Sequence, residues 1–168
     1  MRNLLTALLT TGALLGAAVS ASAGTATTTF TVTATVNTNC KVSAANLAFI
    51  YTPGAGNATN NTTVTVNCTK GTKFNTELTA GGSGTIAQRV MSDGSGDSLQ
   101  YNLYRDSAWT LVWGTTDGTD TVAGTGAGMG AAQAVTQTVY GQVVDSAANQ
   151  LQTPGSAYTD TITVNVTY

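Results

Sequence analysis

Between residues 25 and 36 the chain alternates strictly. Threonine takes every odd position from Thr25 to Thr35, and Phe30, Val32, Ala34 and Val36 fall on the other face. A two-residue period predicts a β-strand with one apolar and one polar side, and β-branched residues favour the same backbone. Similar runs predict strands over 41–51, 62–69, 73–80, 85–91, 99–104, 108–113, 134–144 and 157–168, with a shorter one through 119–123. Turn chemistry separates them: Pro53-Gly54-Ala55-Gly56-Asn57, Gly81-Gly82, Ser92–Asp97 and the glycine-rich stretch 117–130. No stretch carries a convincing helical period. Many short strands at this spacing describe an all-β sandwich or barrel, and no internal repeat or linker divides it.

Composition agrees, since Thr, Gly, Val and Asn dominate while Lys and Glu are scarce. Residues 1–23 read as a secretion signal: Arg2, an apolar stretch over 4–19, and the small residues Ala21 and Ala23 at a cleavage site. That leaves 145 residues (168 minus 23), the size of one domain with a core of its own. The expected organisation is a signal peptide over 1–23, an amino-terminal segment over 24–39 and a sandwich over 40–168. Beyond the signal nothing is apolar enough to span a membrane, so the expected product is exported and soluble. Lys41, Lys70, Lys73, Arg89 and Arg105 face Glu77 and seven aspartates. No basic patch can track phosphates, which argues against a nucleic-acid partner.

Two cysteines in an exported chain make a Cys40–Cys68 disulfide the default. Redox or metal roles would call for CxxC spacing or histidine partners, and the sequence has no histidine. The same absence removes the commonest general base. Asp93 with Asp97, and Asp117 with Asp120, are the nearest carboxylate pairs, but both sit in Gly-rich turns where aspartate caps the local backbone. Calcium at 93–97 lacks the EF-hand spacing. Gly126-Ala-Gly-Met-Gly-Ala131 fits a dinucleotide-binding pattern without the strand and helix that would make it one. Five Asn-x-Thr sequons, at Asn57, Asn60, Asn61, Asn67 and Asn165, matter only in a host that glycosylates exported proteins. Trp109, Trp113, Tyr101, Tyr104 and Tyr140 read either as core or as a sugar-binding platform. The expectation is no catalytic residue, no metal and no cofactor.

Four features are shared with a known family. These are the alternating segment leading to Cys40, the strand Val64-Thr-Val-Asn-Cys68, the stretch Leu99-Gln-Tyr-Asn-Leu-Tyr-Arg-Asp106, and the ending that runs from Tyr140-Gly-Gln-Val to Pro154-Gly-Ser-Ala-Tyr-Thr-Asp-Thr-Ile-Thr-Val-Asn-Val-Thr-Tyr168. In order and spacing the chain resembles the spore coat protein U family, which includes the pilins of archaic (Csu-type) chaperone–usher pili. The resemblance implies an immunoglobulin-like sandwich lacking its last strand, and therefore an open apolar groove. A periplasmic chaperone would fill that groove first. At the outer-membrane usher the amino-terminal segment of the next subunit would replace it, by strand addition. Phe30, Val32, Ala34 and Val36 would be the donor side chains. Ile162, Val164, Val166 and Tyr168 would form the groove wall that pairs with the chaperone.

The expected product is a homopolymer of identical or related subunits: a cell-surface pilus or coat fibre, periplasmic in transit, that supports attachment or biofilm. A tip adhesin or carbohydrate-binding module, and a self-contained secreted coat protein whose first strand completes its own fold, are the alternatives.

Overall fold

A computed structural model describes residues 22–83 and 85–168. The expected signal peptide therefore lies outside the described residues, apart from Ser22 and Ala23. Residues up to 35 and those from 36 onward fall into two units, each treated by itself below.

In the first unit, the described residues form no strand, and the lack of one continues to Asn39. This corrects the strand expected over 25–36. Phe30 and Val32 remain 86% and 81% exposed, and Ala34 is exposed as well. The alternation is present, but a strand exists only through ladder hydrogen bonds to a neighbour, and among the described residues 25–36 join no ladder.

The second unit is built from eight strands: β1 (Cys40–Ala44), β2 (Ala58–Cys68), β3 (Lys73–Leu78), β4 (Arg89–Ser92), β5 (Ser98–Tyr104), β6 (Val122–Thr125), β7 (Val135–Val143) and β8 (Val164–Thr167). Three single turns of 3₁₀ helix, at Gly81–Ser83, Ala131–Gln133 and Asn149–Leu151, are the helical elements of the described residues. One sheet has the order β1-β2-β7-β5-β4 and the other β6-β3-β8, with antiparallel neighbours throughout. Alternation sets the packing: Val64, Val66 and Cys68 point inward along β2, and Phe74, Thr76 and Leu78 along β3. Between the sheets they meet Leu99, Tyr101, Leu103, Val139, Val143 and the fully buried Trp113.

Several boundaries differ from expectation. The run over 41–51 is a strand only to Ala44, because 45–51 leaves the ladder and drops Leu47 and Phe49 against the core. A Cβ on Gly141 of β7 would lie 2.5 Å from Phe49 Cζ and 2.6 Å from Leu47 Cδ2, so glycine there makes room for both. Residues 108–113 form one bridge, Tyr104 to Val112, in place of a strand. The short strand expected over 119–123 is Val122–Thr125. Only Val164–Thr167 of the run over 157–168 joins a sheet. Upstream, Thr159 bridges Ser92 at the edge of the other sheet, so this segment crosses from one sheet to the other.

Cys40 and Cys68 face each other in the β1–β2 register and are disulfide-bonded, as the sequence predicts. Asp93 Oδ1 accepts the Ser95 and Asp97 amides at 2.8 and 3.1 Å, the turn role expected of it. Gly126 sits so close to Cys68 and Thr69 that a Cβ would approach the Thr69 carbonyl to 2.4 Å, which places the 126–131 glycines in packing.

Candidate strand-acceptor groove

Between the two sheets the second unit is open. A cleft of about 650 Å³ has Ala44–Phe49 on one lip and Tyr158–Asp160, Ile162 and Val164 on the other. Its floor is the core itself: Val64, Leu78, Met91, Tyr101, Leu103 and Val139. The strands at its lips each have one partner among the described residues, since β1 pairs with β2 and β8 with β3. Their outer edges hold unpaired peptide groups beside apolar surface, which is the arrangement that accepts an extra strand. A second cleft of about 540 Å³ continues the trough past Phe49, Met91 and Tyr158 towards Leu99 and Pro154.

Of the residues expected to form the groove wall, Ile162 and Val164 line the cleft and Val166 packs against the core below it. Tyr168 stands apart, in a shallower depression with Lys73, Phe74 and Gly124. Phe30, Val32, Ala34 and Val36 belong to the exposed amino-terminal segment. Leu47 and Phe49 escaped the sequence reading because they lie in a run that reads as plain strand. Phe49 meets Tyr101 at 6.3 Å between ring centroids, tilted by 55°.

One polar pair interrupts the apolar lining. The Tyr101 hydroxyl donates to Asp160 Oδ2 at 2.7 Å, while Asp160 Oδ1 accepts the Gly82 and Thr161 amides at 2.8 and 2.7 Å. Burial, followed by the hydrogen bond to this carboxylate, pushes the Tyr101 phenol far above its ordinary range. Gly81 (φ 69°) has no space for a side chain, because Asp160 Oδ2 would lie 2.1 Å from its Cβ. The signal for this pair was in the sequence: Asp160 shares its face with Ile162 and Val164, a carboxylate on an apolar stripe.

No group of three or more His, Cys, Asp or Glu side chains is placed to hold a metal among the described residues. No helix of the described residues is long and apolar enough to cross a membrane. The aromatics divide between roles: Trp113 and Tyr101 are buried in the core, and Tyr104, Trp109 and Tyr140 are half-buried around it.

The family model described as the Spore Coat Protein U domain matches residues 26–165. The chain belongs to the spore coat protein U domain family. Among solved structures, the chain is similar to one in the CsuC–CsuE chaperone–tip adhesion subunit pre-assembly complex from the archaic chaperone–usher Csu pili of Acinetobacter baumannii. That similarity has a TM-score of 0.55 at 20% identity, and covers 80% of this chain but 41% of the other, so this chain spans less than half of its length. The likeness shows a shared fold, an all-β pilin-like sandwich. No curated protein matches in sequence.

Proposed function

We propose that this spore coat U-domain protein is a structural fibre subunit that polymerises by strand addition through the chaperone–usher route. The observation that carries the reading is the pairing of two unmet needs in one chain. The folded unit has an open apolar cleft flanked by unpaired strand edges. The amino-terminal segment offers an alternating sequence with exposed apolar side chains and no ladder. Seating Phe30, Val32, Ala34 and Val36 in the cleft of another copy satisfies both. Each large anchor contributes about 1.5–3 kcal/mol, and the main-chain bonds set the register. Because donor and acceptor surfaces differ, the contact is head-to-tail and generates a filament.

A cleft of this kind aggregates if left bare, which supports a periplasmic chaperone as its first occupant and an outer-membrane usher as the site of exchange. The solved relative is itself a chaperone–subunit complex of a pilus. In this reading the protein is exported, reaches the cell surface as a fibre, and does no chemistry.

Electron microscopy of the protein expressed with its chaperone and usher tests the reading. Wild type is expected to form fibres, and a chain lacking residues 25–36 to remain a chaperone-bound monomer. Fibres from the shortened chain would overturn it.

A further inference from the structure

The strand registers sort the charges to opposite ends of the folded unit. Cys40 opposes Cys68, Val135 opposes Val66 and Lys73 opposes Thr125, so the starts of β1, β3 and β7 meet the ends of β2 and β6 at one pole. Lys41, Lys70 and Lys73 lie there, all exposed, with no ion-pair or hydrogen-bond partner for their ammonium groups among the described residues. At the other pole β7 ends, and the β4–β5 turn projects. Asp145 and the pair Asp93 and Asp97 belong to that pole, and Asp117 and Asp120 lie on the connection that enters β6 from the same side. Their hydrogen-bond partners are neutral. Asp145 accepts from the Tyr51 hydroxyl and the Gly54 and Gly56 amides, Asp93 from backbone amides, and Asp97 from the Thr153 hydroxyl. Asp93, Asp97 and Asp145 thus have no cationic side chain among their hydrogen-bond partners, while Asp120 and Asp160 feel the positive charge of the buried Arg89. On the basic half, Asp106 stands next to Arg105, and Glu77 lies near the end of β3, towards the acidic pole.

We infer that the poles are a complementary interface between successive copies, with the acidic pole of one seated against the basic pole of the next. This rests on the strand-addition reading and adds to it an electrostatic contact between the folded units. The donor segment joins its own folded unit at Cys40, on the basic pole. If it leaves the neighbour's cleft where β8 begins, basic pole meets acidic pole, and the donor runs antiparallel to β8. If it leaves where β8 ends, two basic poles collide. Like charges in apposition oppose assembly, while opposite charges speed encounter and fix orientation.

Fibre elongation by the full-length chain, followed at about 10 mM and at about 1 M salt, tests this, because the screening length falls from about 30 Å to about 3 Å. A Lys41→Glu/Lys70→Glu/Lys73→Glu variant is expected to elongate about tenfold more slowly than wild type at low salt, with the gap closing at high salt. A Lys→Gln triple at the same sites, which adds no repulsion, is expected to fall between the two. Growth of the Glu variant onto copies carrying Ser95→Lys, Asp117→Lys and Ala147→Lys is expected to recover the wild-type rate. Equal low-salt rates for wild type and the Glu variant, or a deficit that salt does not change, would overturn the inference while leaving strand addition standing. A wild-type chain that forms no fibre overturns the strand-addition reading, and this inference with it.

Discussion

Four neutral acceptors hold the fully buried Arg89 guanidinium: Asn102 Oδ1 at 2.6 Å and the carbonyls of Trp113, Thr79 and Leu78 at 2.7, 2.9 and 3.0 Å. It joins β4 and β5 to the end of β3, and it does so without a carboxylate at contact distance. Burial lowers its pKa from the ordinary arginine value, yet the planar fork gives each of its three nitrogens a hydrogen-bond acceptor. Replacing it with leucine orphans these acceptors, so Arg89→Leu is expected to cost about 3 kcal/mol or more in a urea melt. Arg89→Lys is expected to recover little of that, since one ammonium cannot span four divergent acceptors. Nothing in the local sequence marks Arg89 as buried. It begins a short strand after a loop, and only the three-dimensional meeting of β3, β4 and the Trp113 segment creates its site.

Asp145 is the second residue whose role comes from a distant loop. Hydrogen bonds from Tyr51 and the Gly54 amide hold its carboxyl at about 2, below the ordinary 3.8, and the Tyr51 phenol is pushed up to about 12 by burial and by Asp145. A lowered carboxylate pKa stabilises the fold above about pH 4, and that contribution is lost as pH falls through 2. A raised phenol pKa stabilises below about pH 10, and that contribution is lost as pH rises through 12. Acid titration of Asp145→Asn, followed by circular dichroism, is expected to show a shallower loss of stability between pH 4 and 2 than wild type.

At the scale of elements, sequence alternation located β2, β3, β5 and β7, because each buries one face against a common core. It overran wherever a segment leaves its ladder while keeping its pattern. Residues 45–51 and 157–163 alternate as strands do, yet they form the lips of the cleft, and their apolar side chains line it. Pattern reports which side chains face inward but not which backbone groups find partners, and the missing partners are what the proposed strand addition uses. The disulfide fastens the edge strand β1 to β2. Its loss through Cys40→Ser/Cys68→Ser is expected to lower stability by about 3–4 kcal/mol in the chain-entropy picture, measured by denaturant unfolding against the oxidised protein. Among the donor positions, Phe30→Ala is expected to weaken seating most, by about 1.5–3 kcal/mol, seen as faster dissociation of assembled fibres at fixed temperature. Ala34→Gly, which removes one methyl, is expected to change it least.

For the molecule as a whole, the cleft, the unladdered amino-terminal segment and the opposed poles are the features on which the proposed completion by a neighbour rests. The family match over 26–165 includes both most of the segment and most of the sandwich. In the proposed assembly the segment fills the cleft of a different copy. This is tested most directly by placing a photo-cross-linking residue at Phe30 and assembling equal parts of isotopically light and heavy protein. Mass spectrometry of the cross-links is then expected to show Phe30 joined to cleft residues such as Val64, Leu103 or Val139, with light–heavy pairs as frequent as random mixing allows. Cross-links confined to light–light and heavy–heavy pairs would mean that each chain fills its own cleft, and would contradict the account.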